Sequence, residues 1–437
     1  MPKEKMGPLQ LSGLITGAVL GSGIILLPPM AQASLGRWSV TAWLIMMALG
    51  AVFAGLFAKM ALHYPGSEGV PIAVRKAFGP RAGHLTSVYM MCAVCVGPVA
   101  VLMTAADAMA RTFGLSPDSL PALSAGLLLL CMVLLMRRVS VLGGVALSAS
   151  LCIGVVLTAG SLATIAKTPM APWPDTSCDL SAMGRTLLVL FWAVVGWEVV
   201  GNYTMDVKNP KRTIPQATMM GVAGISGIYL LVAWAVFTSS ANHPVGENGT
   251  MVSVAQVVRP LFGVSAEAVI MVVTSLLCIC TVLLIVGGVS RLVATLAREG
   301  HMPGWLSRCN KNGVPVAALA TLSCFHGADL LLLHFKWVSL EQLVAVANVF
   351  FLANSLMAVA AAIRLFPSMT LRVPCLFLFT GFIALLCFSA ILPLMGLAAH
   401  GLCRMQPSKP KGEKRCLRRR GEPTRKLIAF DFNGPES

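Results

Sequence analysis

Gly21-Ser22-Gly23-Ile24-Ile25-Leu26-Leu27-Pro28-Pro29 lies inside a continuous apolar run at 9–33. The run is long enough to cross a bilayer, because a helical span needs about 20 apolar residues. Its middle is a poor helix. The two glycines add backbone freedom, and the two prolines remove N–H donors. In lipid, backbone groups freed in this way must be met by protein, water or ligand. A plain membrane anchor has no use for such a break.

A second run, at 182–203, holds Trp192-Ala193-Val194-Val195-Gly196-Trp197-Glu198. Here a glycine and an ionisable residue sit almost side by side at mid-depth. These two runs occupy corresponding positions if the chain is built from two halves of five spans. Glycine-interrupted helices at matching positions of two halves point to a transporter binding site. Their broken ends present N–H groups to an anion and carbonyls to a cation. A free amino acid carries one of each charge on a single carbon, so the arrangement suits a zwitterion without any charged side chain. Close packing through small residues is the competing reading. The paired breaks, with Glu198 beside the second, favour a site.

Composition agrees. The 437 residues are 57% hydrophobic and only 11% charged, with a mean hydropathy of +0.80. A soluble domain carries about 25% charged residues, so a water-soluble globule is excluded. A β-barrel is excluded as well, since the apolar runs are continuous and do not alternate. Ten spans are predicted, at 9–33, 39–63, 85–110, 120–136, 141–165, 182–203, 217–239, 264–290, 314–334 and 340–365. The fold class is an all-α integral membrane protein. The first run lacks a small-residue cleavage site and reads as a retained span.

The net charge of +16 would suggest nucleic acid in a soluble chain. Here the basic residues sit mostly between apolar runs, which indicates topology and contact with anionic lipid, and nucleic acid is excluded as a partner. With the N-terminus in the cytoplasm, the inside loops hold Arg75, Lys76 and Arg81; Arg137 and Arg138; Lys208, Lys211 and Arg212; Arg298, Arg308 and Lys311; Arg364 and Arg372. The outside loops hold only Arg37, Arg111, Lys167, Arg185, Arg259 and Lys336. The positive-inside rule therefore predicts a cytoplasmic N-terminus. A last apolar stretch, Val373 to Cys403, is long for one span and short for two. The basic tail beyond Arg404, with Arg418-Arg419-Arg420, favours an even number of spans. Val373–Cys403 is therefore read as a hairpin broken near Pro393, with one long eleventh span as the alternative. The division is an N-terminal 1–8, a transport core at 9–365 with halves at 9–165 and 182–365, a terminal hairpin at 366–403 and a disordered cytoplasmic tail at 404–437.

At this point the residues resemble the amino acid–polyamine–organocation superfamily over roughly 10–365. Gly21-Ser22-Gly23-Ile24-Ile25-Leu26-Leu27-Pro28 is similar to its first-helix signature, with Ile25 where Phe is frequent. Tyr64-Pro65-Gly66-Ser67-Glu68-Gly69, then Ala77-Phe78-Gly79, resembles the loop after its second helix, with Glu68 where a second Gly is usual. Phe191 to Glu198, followed by Lys208-Asn209-Pro210-Lys211-Arg212-Thr213-Ile214-Pro215, is the most specific match. Ser290-Arg291 through Glu299-Gly300-His301-Met302-Pro303 resembles the loop after the eighth helix. In size and motifs the chain is similar to the superfamily's bacterial exporters of methionine and branched-chain amino acids. The resemblance implies a five-plus-five inverted repeat, with helices one and six broken around a substrate, and 11–12 spans.

It also implies site residues. Gly21, Ser22, Gly23 and Ile24 would offer backbone groups to a substrate carboxylate. Trp192, Ala193, Val194, Val195 and Gly196 would receive the amino group and flank the side chain, with Trp192 either a gate or packing. Two roles are open to Glu198: a proton carrier, or a neutral carboxyl bonded to freed backbone. Asp107, His326 and Asp329 are placed toward outer helix ends, snorkelling or touching loops, and Arg291 reads as an interfacial anchor. The 13 cysteines lie mainly in apolar runs, and the redox-like spacing of Cys92 and Cys95 reads as filler.

The function read from these features is secondary transport of neutral apolar amino acids such as methionine, leucine, isoleucine and valine, as an exporter in the bacterial inner membrane. An importer or exchanger of another substrate is the alternative. The eighth span has no adjacent hydroxyl pair deep in its inner half and the fifth has no lysine, so protons are favoured over sodium. An intramembrane enzyme is disfavoured, because no nucleophile elbow or His–Glu zinc motif is present. No metal and no cofactor are expected, and no phosphate-binding loop exists for direct ATP drive.

Overall fold

The computed structural model describes residues 5–168, 177–242 and 253–387. Lys3, the stretch 388–403 with Pro393, and the basic tail at 404–437 lie outside the described residues.

Among the described residues, nine helical stretches are long and apolar enough to cross a membrane. The first, Pro8–His63, is 56 residues long. As one straight helix it would reach about 80 Å, far beyond a bilayer. It turns back at Gly36, whose φ of 52° opens a short 3-10 turn, Gly36–Trp38. It is therefore two crossings, and the ten core spans expected from run length are all present.

The first span consists of α1 (Pro8–Leu20) and α2 (Gly23–Leu35). Then come α3 (Ser39–His63), a short α4 (Val70–Phe78), α5 (Pro80–Phe113), α6 (Leu120–Leu135) and α7 (Val139–Lys167). The second half opens with α8 (Leu180–Leu190), which runs into 3-10 turns at Phe191–Val194 and Trp197–Asp206. It continues with α9 (Pro210–Asn242), the short α10 (Val254–Phe262), α11 (Ala266–Arg298), α12 (Val316–His334) and α13 (Leu340–Leu365). A further helix, α14 (Met369–Cys387), carries Pro374 inside it. It starts four residues before the predicted Val373.

Each half thus begins with a broken span. The breaks are local and have a backbone cause. Gly21 sits at φ 42° and Gly196 at φ 119°, a region that a side chain disfavours. Packing then places the broken spans centrally. The helix α1 packs on α7, α9 and α11, while α5 packs on α11 and α13. Large apolar side chains such as Leu129, Leu151 and Val155 remain exposed on α6 and α7. In water such a surface would aggregate; against lipid it is solvated.

Candidate functional site

The interruption of the first span frees carbonyls that other helices capture. Thr281 on α11 donates its hydroxyl to Ala18 O at 2.9 Å. Tyr229 on α9 donates to Leu20 O at 3.1 Å and is itself stacked under Trp43, with ring centroids 4.6 Å apart. This satisfies the requirement that buried backbone in a membrane keep its partners. Sequence reading assigned neither hydroxyl to these carbonyls, because they belong to a helix more than two hundred residues earlier.

The second break comes to the first through one side chain. Trp192 points its indole N–H at Ser22 Oγ, 3.4 Å away. Beside this contact lies a narrow cavity of about 20 Å³, room for roughly one water molecule. Gly21, Ser22, Gly23, Trp192 and Val195 all line it, together with Thr281. Val101, Ile285 and Phe351 supply apolar wall. Among the described residues no charged side chain lines it. The remaining sequence candidates sit behind this wall. Ile24, Ala193 and Val194 are buried in packing, and Gly196 faces Val19 and Leu284.

Glu198 is fully buried, with no exposed surface. Its Oε2 accepts the Gly196 N–H at 3.0 Å, so it folds back on the break rather than into the cavity. Its Oε1 has no hydrogen-bond partner among the described residues.

A wider vestibule of about 540 Å³ adjoins the cavity and shares Ser22, Gly23 and Trp192 with it. Its mouth includes Leu340, Glu341 and Asn348 at the start of α13. The opposite end of the bundle is closed. There Arg291 Nε donates to Asp206 Oδ2 at 2.6 Å, and its guanidinium lies 4.6 Å from the Tyr203 ring. Tyr203 donates its hydroxyl to Leu284 O at 2.8 Å. Met6 N donates to Asp206 O at 3.0 Å and Lys208 N donates to Met6 O at 2.8 Å. Arg291 is therefore an internal tie between α11 and the sixth span, where the sequence read an interfacial anchor.

His326 also differs from its sequence reading. It is fully buried, with Nε2 2.8 Å from Val94 O on α5. The helix α12 packs its His326 face on α5, so the ring turns inward rather than snorkelling. Asp107 forms an ion pair with Arg111, one turn along the same helix, and stays partly exposed.

The two broken spans thus meet at a cavity lined by the main chain of the first. The amino acid permease family model matches residues 6–404. The chain belongs to the amino acid permease family. This permease is 28% identical over 367 residues to the L-methionine/branched-chain amino acid exporter YjeH of Escherichia coli (strain K12), covering 83% of this chain and 86% of that one. It is 26% identical over 365 residues to YecA of Bacillus subtilis (strain 168), named an uncharacterized amino acid permease, covering 82% of this chain and 84% of the relative. A cadaverine/lysine antiporter of Escherichia coli (strain K12) is 28% identical over 334 residues, 72% of each chain. Among solved structures, a Na+-coupled sialic acid symporter in a substrate-bound outward-open state aligns with a TM-score of 0.58 at 12% identity, covering 90% of both chains. That likeness concerns fold alone. The permease is a multi-pass membrane protein with the all-α, five-plus-five inverted-repeat transporter fold, and its relatives are transporters rather than enzymes.

Proposed function

We propose that this permease is a secondary active transporter that exports neutral, apolar L-amino acids such as methionine, leucine, isoleucine and valine, driven by the proton gradient. The reading is carried by the chemistry of the cavity wall. Main chain at Gly21–Gly23 faces the space where an α-amino acid head would sit, and Val101, Val195, Ile285 and Phe351 surround the rest. Burying an apolar side chain there is worth roughly 1.5–3 kcal/mol. The terminal amine of lysine or of a diamine would meet no carboxylate among the wall's described residues. Leaving such an ammonium unpaired away from water costs on the order of several kcal/mol.

Gly21, Ser22, Gly23 and Ile24 would present the substrate carboxylate with backbone groups. The 192–196 segment would receive the amino group, with Trp192 standing between cavity and vestibule. Glu198 would carry the proton, its unpartnered oxygen being the atom protonated. The charge bias of the loops supports a cytoplasmic N-terminus in the inner membrane, which makes the vestibule the outer side and the Met6 closure the inner one. The transport core would be 9–365.

Counterflow of labelled leucine in proteoliposomes tests the reading. Unlabelled methionine, isoleucine and valine are expected to drive it, whereas lysine and putrescine are not. A pH gradient is expected to convert exchange into net flux. Counterflow driven by lysine or putrescine, with none by leucine, would overturn the substrate class.

A further inference from the structure

The loop between α3 and α4 holds a carboxylate that the transport reading leaves unused. Glu68 stands where the matching family loop usually has glycine, and it is only 5% exposed. Arg75 on α4 forms an ion pair with it. The same guanidinium reaches Glu299, just beyond α11, at 3.4 Å. One cation therefore holds two carboxylates from two loops. His84 on α5 and His301, two residues past Glu299, lie against each other at the same end of the bundle, with ring centroids 5.8 Å apart.

The adjacent residue connects this cluster to the closed end of the site. Gly69 has φ 66° and abuts the Asn202 side chain. A Cβ on Gly201 would lie 3.1 Å from Gly69 Cα. Asn202 in turn donates through Nδ2 to Gly288 O on α11 at 3.1 Å. Glu68 is thus one peptide unit from the seam where the inner half of the sixth span meets α11. The charged groups that face it are Arg75 from α4 and Glu299 from the end of α11.

We propose that Glu68 is a second proton-binding site, on the cytoplasmic side, whose protonation frees the 64–69 loop and releases the inner closure. The side assignment rests on the transport reading and its orientation. Burial, above all, holds the Glu68 carboxyl above the ordinary carboxylate range. Arg75 draws it down and Glu299 raises it further. As pH falls through that raised value, the carboxylate gains a proton and its ion pair with Arg75 is lost. Glu299 keeps Arg75, and the loop beside Asn202 loses its tether.

Amide hydrogen exchange on the purified full-length protein tests this without reference to substrate. Rates are corrected for the intrinsic effect of pH. Peptides covering 198–208 are expected to exchange several-fold faster in mildly acidic than in slightly alkaline buffer. Glu68→Gln is expected to show the fast rate at both, and Glu68→Asp to restore the pH response. Protection of 86–106 in α5 must stay at the wild-type level in each variant, which separates release from unfolding. A wild type with no pH response, or a Glu68→Gln protein that keeps it, overturns the proposal. Leucine counterflow run in parallel separates the two ideas: its absence beside the expected exchange pattern removes the transport reading and leaves the proton site standing.

Discussion

Thr281 closes a gap opened 263 residues earlier in the chain, donating its hydroxyl to the Ala18 carbonyl at 2.9 Å. The same threonine lines the cavity, so one side chain both completes the first span's backbone and forms part of the site wall. The break at Gly21 is tolerable only because this donor and Tyr229 stand opposite it.

Replacing Thr281 with valine keeps the shape and deletes the donor. The orphaned carbonyl should cost about 1–3 kcal/mol. Thr281→Val is expected to lower counterflow by at least an order of magnitude while the protein reaches the membrane, and Thr281→Ser to keep most of it. Equal rates for the valine and serine variants would detach the hydroxyl from function.

Gly23 faces the same space from α2. A Cβ there would stand 2.6 Å from the Tyr229 hydroxyl and 3.7 Å from Trp192 Cδ1. Gly23→Leu is expected to abolish transport in protein shown to insert normally. Wild-type counterflow in this variant would remove the first-span break from the site.

Glu198→Gln keeps an oxygen for the Gly196 N–H and removes titration. Exchange at equal pH is expected to persist, whereas net flux after a pH step is expected to vanish. Both are read in the same vesicles. A variant that follows the pH step like wild type shows that Glu198 is structural and the coupling proton sits elsewhere.

Topology beyond α14 is tested with fusions after Ser437. A phosphatase that folds only outside is expected to be inactive there, and a fluorescent protein that folds only inside is expected to glow. The opposite pair of results means an odd number of spans and an external tail.

The spans and both breaks were legible in the sequence because lipid leaves few alternatives. An apolar run such as 39–63 must become a helix, and Gly196 beside Glu198 has no purpose in a plain anchor. The short helices α4 and α10 escaped, being less than half the length that a crossing requires. What escaped at the site was everything contributed across the bundle. Tyr229 looks like ordinary packing until its hydroxyl is seen on Leu20 O. Arg291 has the position of an interfacial anchor, yet Asp206 and the Tyr203 ring turn it inward. His326 lies near a helix end in sequence, and only the contact of α12 with α5 buries it. Periodicity and composition report the environment along one helix; these partners lie on other helices, and nothing local encodes them.

The ten-residue segment Trp197–Asp206 is wound as a 3-10 helix, a form seldom sustained beyond a turn. At about 2.0 Å per residue it measures about 20 Å, where α winding would give about 15 Å. Rewinding would draw Asp206, and with it the Met6 contact, some 5 Å toward Gly196. The inner half of the sixth span is therefore held about 5 Å longer than the same residues would measure as an α-helix.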